Sequence, residues 1–325
     1  MNSTLRPIVV GVDLAGSSEP ALEWAAAEAA RRGRPLRILH AYPPPTYPST
    51  GAGLLPGGTV VTLGEELRKA AVAEVADCAV RVRVAHPDLE VQTFTHCGPA
   101  AATLLEASRH AETVVLGSRG LSTVAGIVLG SVSTPVCARS VAPVVVVRYS
   151  PHAAPDAPVV VGVDGSGTSR AALAFAAAQA SSRRVGLTVV HTWRVDGTEG
   201  DGSSLGWSTG WGRLPEEEEA VLAEAVAGLG EQFPDVVVHR EVVSDYTADA
   251  LERLSRDACL LVVGTHGRGT VSGWLRGSVS QAVLRAAPCP VAVVHPAPDE
   301  DDHVGGDPPG SIEPAVPASP AHDSA

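Results

Sequence analysis

Two glycine-rich stretches carry the residue types and spacing that could do chemistry in this chain. One reads Gly117-Ser118-Arg119-Gly120, then nine residues, then Gly130-Ser131. The other reads Gly264-Thr265-His266-Gly267, then nine residues, then Gly277-Ser278. Each follows an apolar run, residues 113–116 or 260–263, and each precedes a helix-like segment. Strand, glycine loop and helix in succession expose backbone N–H groups at a helix N-terminus, which suits an anion such as phosphate. Glycine serves where the backbone must approach a ligand closely or take positive φ. A single spacing of this kind could be an ordinary strand-to-helix turn. The same spacing twice, in the same context, is not coincidence. The second loop also offers His266, Arg268 and Arg276, and the first offers Arg119, although each arginine also suits a solvated surface. His266 has no carboxylate close in sequence to make it a base. On charge, the second repeat is therefore the expected tighter anion site.

The elements that position these loops repeat as well. Ile8-Val9-Val10-Gly11-Val12-Asp13 is matched by Val159-Val160-Val161-Gly162-Val163-Asp164, Trp24 by Phe175, and His40 by His191. The chain is a tandem duplication of about half its length, and such self-similarity governs the fold assignment. Each copy opens with an unbroken apolar run, as expected of a strand buried on both faces of a parallel sheet. A Ser/Gly turn and an alanine-rich helix follow, at residues 20–32 and 170–183. Asp13 and Asp164 suit either a ligand contact or a helix N-cap. Second strands are predicted at 36–41 and 187–192, and third strands at 90–95 and 236–243. Between them, residues 42–64 and 193–214 read as Pro/Gly- and Gly/Ser-rich loops, with helices starting near Glu65 and Pro215. Glu216 to Glu219 read as a solvated helix start, where negative charge suits the dipole. Helices are predicted at 132–140, with Pro135 a turn inside, and at 279–286, each followed by a valine strand, 143–147 or 290–294. These last strands are apolar edges and are expected to pair with each other.

Alternating strand and helix imply an α/β class, with two tandem open sheets. Ligands in such sheets bind beyond the carboxyl ends of the strands, at the switch in strand order. Asp13, Ala41 and Gly117 fall at predicted strand ends, as do Asp164, Thr192 and Gly264. Residues 1–148 and 159–295 are the expected domains, 149–158 a linker, and 296–325 a disordered acidic, Pro-rich tail.

Composition narrows the function. The chain has 325 residues with 45% hydrophobic and only 4% aromatic content, so its core is built from Ala, Val and Leu. Net charge is −12; the tail holds seven acids and no Lys or Arg, which leaves −5 for the body. That balance argues against non-specific nucleic-acid binding. No apolar run reaches the ~20 residues of a membrane span, and no secretory leader is evident, so a cytoplasmic location is expected. The five cysteines form no CxxC pair, and read as small buried core residues rather than a zinc site or disulfide framework.

The glycine loop, the Val-Gly-Val-Asp opening and the histidine ending the second strand together resemble the universal stress proteins, over nearly the whole chain. The resemblance implies two five-stranded parallel sheets of order 3-2-1-4-5 with helices on both faces. It also implies ATP as ligand, accompanied by magnesium, since members with this loop bind ATP. Carried over by position, Asp13 and Asp164 meet the adenosine end, and the backbones of Ala41 and Thr192 meet the adenine edge. Gly117, Gly120, Gly130, Ser131 and Val132 hold ribose and phosphates in the first copy. Gly264, Gly267, Gly277, Ser278 and Val279 do so in the second. Single-domain members often dimerise through the fifth strand, which implies pairing of the two copies within one chain, with a homodimer also open. One departure stands out: the first copy has Gly98-Pro99 after the third strand, where the second has Asp245-Tyr246. A tyrosine there could reshape or cap the pocket. The implied function is a regulatory adenine-nucleotide module with little or no catalysis. An adenylate-cleaving enzyme and a scaffold with degenerate sites remain the alternatives. The Walker loop, the Rossmann glycine triplet and the Ser-Gly-Gly-x-Asp-Ser loop of ATP pyrophosphatases are absent from the sequence.

Overall fold

A computed structural model describes residues 5–13, 16–44, 57–118, 130–148, 154, 156–193, 214–265, 278–296 and 313–314. Contacts divide the chain into two compact units, one centred on residues 1–120 and 130–136, the other on 137–298.

The first repeat runs β1 (Ile8–Gly11), α1 (Glu19–Arg32), β2 (Leu36–Tyr42), α2 (Gly57–Ala85), β3 (Val91–Cys97), α3 (Ala100–Ser108), β4 (Thr113–Gly117), α4 (Ser133–Arg139) and β5 (Val144–Val147). The second runs β6 (Val159–Val163), α5 (Gly167–Arg183), β7 (Leu187–Trp193), α6 (Leu214–Val226), α7 (Leu229–Gln232), β8 (Val238–Ser244), α8 (Thr247–Leu254), β9 (Leu260–Gly264), α9 (Ser278–Ala286) and β10 (Val291–Val294). The strand orders are β3-β2-β1-β4-β5 and β8-β7-β6-β9-β10, the order that the resemblance implied. Each opening strand is central. Ile8 pairs in parallel with Leu36 on one side and Thr113 on the other. Val159 does so with Leu187 and Leu260. With parallel neighbours and helices on both faces, Ile8, Val9 and Val10 have no exposed surface. That burial is why the runs contain no polar residue.

The glycine inside each opening strand has a packing role. A Cβ at Gly11 would lie 3.2 Å from Leu104 of α3, and one at Gly162 would lie 3.0 Å from Leu251 of α8. Glycine lets those helices sit close over the central strand.

The two valine strands pair as expected. β5 and β10 run antiparallel, with Val145 opposite Ala292, and all eight of their residues are buried. Both belong to the second compact unit, so the last strand of the first repeat is built into the body of the second unit.

Two expectations need correction. The helix expected from Glu65 begins at Gly57, because a formed helix extends backward at one hydrogen bond per residue despite weak local propensity. The cysteines are not uniformly core: Cys78, Cys137 and Cys289 are buried, Cys97 is exposed and Cys259 is intermediate. The helix predicted at 132–140 starts at Ser133, which puts Pro135 in its first turn, where N–H groups lack helical partners. In the tail, Glu313–Pro314 forms a short strand, β11, antiparallel to β3 at Thr95 and Phe94; the rest of the tail lies outside the described residues, as does most of 149–158.

Candidate functional site

In the first unit the carboxyl ends of β1, β2 and β4 enclose a cavity of about 340 Å³. Five of the expected residues line it: Asp13, Ala41, Gly117, Gly130 and Val132. Ser131 lies between Gly130 and Val132 but is exposed and does not line the cavity. Gly120 falls outside the described residues, as do Arg119, Gly267, Gly277, His266, Arg268 and Arg276. The wall also includes His40, which the repeat marks, and Ser17, Ser18, Tyr42, Leu67 and Ser133, which the sequence does not single out as ligand contacts. Ser17 and Ser18 read in the sequence as turn residues and plausible helix N-caps.

Asp13 does not cap α1; that position belongs to Ser18. Its carboxylate instead accepts the Ser17 hydroxyl at 2.6 Å and the Ser18 hydroxyl at 3.3 Å, while its own N–H donates to the Ser18 oxygen at 3.1 Å. These bonds fix the turn and orient the carboxylate at the cavity wall. In the second repeat Asp164 accepts the Ser166 N–H at 3.0 Å, and Ser166 caps α5 by accepting from the Ser169 N–H at 3.1 Å. The N-cap reading of both aspartates therefore fails. A serine downstream holds each N-cap position, with a side-chain cap bond at Ser166 and none at Ser18, and the aspartate organises the turn.

Gly117 and Gly264 are glycine for close approach rather than for φ, since neither has positive φ. A Cβ at Gly117 would lie 3.2 Å from the Ser17 carbonyl oxygen, and one at Gly264 would lie 2.8 Å from Cγ2 of Thr168. The protein itself occupies the space they leave. Gly130 differs: among the described residues, its chain neighbours aside, a Cβ there would meet nothing nearer than the Ser133 hydroxyl at 3.8 Å. Gly130 itself lines the cavity. The Thr134 N–H bonds to the Gly130 carbonyl at 3.1 Å and the Val136 N–H to that of Val132 at 3.2 Å. The first N–H groups of a helix lack intrahelical partners, which suits an anion there.

No cavity-lining residue among those described is Lys or Arg. Backbone donors therefore carry the described part of any anion contact. His40 is buried, with Nδ1 2.8 Å from the Val12 carbonyl oxygen, and His191 repeats this with Val163 at 2.8 Å. These histidines tie the second strand of each repeat to the first.

The second repeat holds Asp164, Thr192, Gly264, Ser278 and Val279 at the same element ends. Two features distinguish it. The Thr192 hydroxyl lies 2.6 Å from that of Thr247, where the first repeat has Ala41 and Ala100 at the equivalent positions. Glu218, expected to be solvated, instead reaches His191 Nε2 at 2.6 Å. Tyr246 does not reshape the backbone, because Pro99 (φ −66°, ψ 122°) and Tyr246 (φ −65°, ψ 128°) cap their helices alike. The Tyr246 side chain is 58% exposed. Among the described residues no cluster of His, Cys, Asp or Glu could hold a metal ion, and no helix is long and apolar enough to cross a membrane.

Fold and site together define a doubly wound α/β protein with a crevice at the switch in strand order, lined by Gly117 and Gly130. The family model described as "Universal stress protein family" matches residues 4–148 and again 157–295, and the chain belongs to that family. A universal stress protein of Mycolicibacterium smegmatis is 38% identical over 301 residues, covering 91% of this chain and 99% of that protein. The crystal structure of a universal stress protein from Archaeoglobus fulgidus covers 90% of this chain and 98% of its own, with 21% identity and a TM-score of 0.64. A universal stress protein solved in complex with cAMP is 26% identical, covering 43% of this chain and 97% of its own, with a TM-score of 0.33.

Proposed function

We propose that the chain is a regulatory stress-response module that binds ATP, accompanied by magnesium, with one site designated in each repeat and little or no catalysis. The observation that carries this reading is the convergence of Asp13, Ala41, Gly117, Gly130 and Val132 on one cavity at the strand ends. Its volume of about 340 Å³ falls at the lower end of small-molecule sites. Leu39, Leu116 and Leu104 supply apolar surface for a base, Asp13 an acceptor for sugar hydroxyls, and the Gly130 loop donors for phosphate. Family membership supports the same ligand class.

The cavity's titratable side chains are Asp13, held by two serine hydroxyls, His40, held by a carbonyl, and Tyr42. Asp13 and His40 are engaged in holding the turn and the strand ends, and this structural role supports the binding reading. Denaturing the purified protein and weighing the released small molecules tests the ligand, with ATP or another adenine nucleotide expected. Steady-state turnover well above the rate of uncatalysed hydrolysis would replace the binding module by an enzyme.

A further inference from the structure

The two sites differ most at the end of the second strand. His40 and His191 are equivalent by sequence and by geometry, each with Nδ1 2.8 Å from the carbonyl that precedes the turn aspartate of its own repeat. In the first repeat His40 lines the cavity. In the second, Nε2 of His191 meets Oε2 of Glu218 at 2.6 Å, with the two side chains 9% and 28% exposed. The helices align through their buried positions, Val75 of α2 with Leu222 of α6, at the same offset that relates Val91 of β3 to Val238 of β8. That offset places Glu218 where α2 carries Ala71, a fully buried methyl group. A residue that fills little space in one repeat is a carboxylate reaching the strand-end histidine in the other.

The bonding around His191 shows what holds this contact. A carbonyl only accepts, so Nδ1 carries a hydrogen. Nε2 and Oε2 of Glu218 lie at hydrogen-bond distance, so the ring is held at both nitrogens. The contact joins a buried ring to a partly buried carboxyl group. Taking either partner away leaves the other buried without its bond.

We propose that Glu218 is the residue that sets ligand affinity in the second site: it fills the strand-two end of that site, and a nucleotide enters only by displacing it from His191 and loosening the start of α6. The first site, with Ala71 in that place, is open and loads first. This rests on the adenine-nucleotide reading above. It also reverses the order that the basic residues of the second loop suggest on charge alone. It gives the bound state a readout in the protein, because filling the second site moves α6 while filling the first requires no such change.

The test uses the full chain with the first site disabled by Gly130→Asp, which places a negative charge at a position that lines the first cavity. ATP is titrated calorimetrically into this variant, into Gly130→Asp with Glu218→Ala, and into Gly130→Asp with Glu217→Ala as a control at an exposed neighbour. Glu218→Ala is expected to tighten ATP binding at least tenfold and Glu217→Ala to leave it within twofold. Should Glu218→Ala fail to fold, Glu218→Gln keeps the shape, loses the ionic bond and is expected to give part of the gain. In the Gly130→Asp parent, saturating ATP is expected to speed amide hydrogen exchange in residues 216–226. Unchanged affinity in the Glu218 variants, or α6 exchange that ATP does not speed, overturns the proposal. A wild-type chain that binds no ATP at all sinks the nucleotide reading and this proposal with it, whereas wild-type binding with silent Glu218 variants sinks this proposal alone.

Discussion

Gly264 at the end of β9 lies against Thr168 in the first turn of α5 so closely that a Cβ would sit 2.8 Å from Cγ2 of the threonine. The first glycine of the second loop is thus a packing residue before it is a ligand residue. Gly264→Ala is expected to destabilise the fold by about 1–3 kcal/mol through overpacking. Thr168→Ser removes the opposing methyl and should recover part of that loss. Denaturant melts of the two single variants and the double variant measure the coupling. Additive effects would show that the contact is not what requires glycine.

The ends of the two alanine-rich helices differ in one informative residue. Gly33 ends α1 with φ 59°, and Arg184 ends α5 with φ 58°. A side chain in the left-handed region costs roughly 1 kcal/mol relative to glycine. Arg184→Gly should therefore raise stability by about 0.5–1 kcal/mol, after the greater freedom of glycine in the unfolded chain is subtracted. A fall in melting temperature would mean that the Arg184 side chain contributes more than its backbone costs.

Buried thiols make the fold sensitive to alkali. Burial pushes the Cys137 and Cys289 thiols up to about 12, and burial foremost takes Cys78 to about 11. Each stays protonated in the folded state over a range where the unfolded chain, with thiols near 9, has released its proton. Their contribution is fully present below about pH 9 and is lost as pH rises through the folded values, with a slope of about 1.4 kcal/mol per pH unit for each thiol. Cys137→Ala should flatten the fall in stability between about pH 9 and about pH 11. Equal slopes for the variant and the parent would show that Cys137 ionises freely in the folded protein.

The pairing of β5 with β10 makes residues 144–147 part of the second unit. A chain beginning at residue 157 would expose the Val291–Val293 edge that β5 covers, and unpaired apolar edges associate. Light scattering should find that fragment dimeric or aggregated, while a fragment beginning at residue 137 should self-associate less. A monomeric, stable fragment from 157 onward would show that β5 is dispensable to the second unit.

Much of this molecule was legible in the sequence because burial wrote it there. Strands enclosed on both faces favour continuous valine and isoleucine, so residues 8–10 and 159–161 announced themselves; the repeat gave two domains, and the strand order came only with the family resemblance. The cavity residues Asp13, Ala41, Gly117, Gly130 and Val132 were legible because strand ends and glycine spacing are one-dimensional signals. The purpose of Gly117 and Gly264 was not, because a glycine that admits a ligand and one that admits Ser17 or Thr168 look alike in a sequence. The His191–Glu218 bond was hidden for another reason. It joins residues 27 apart across a helix and a strand, and four consecutive glutamates at a helix start read as solvent-facing charge. Only the buried face of α6 distinguishes Glu218 from its neighbours.

The central claim is that the cavity at the ends of β1, β2 and β4 takes ATP against the Gly130 loop. Its most direct test is calorimetric titration of ATP into the full chain and into Gly130→Ala, with melts of both proteins in the absence of ligand. Among the described residues, its chain neighbours aside, a Cβ at Gly130 meets no atom closer than 3.8 Å, so the melts should agree within a few degrees. Binding at the first site should weaken at least tenfold, about 1.4 kcal/mol, because the added methyl enters the space kept for phosphate. Indistinguishable ATP titrations from two equally stable proteins would contradict the account.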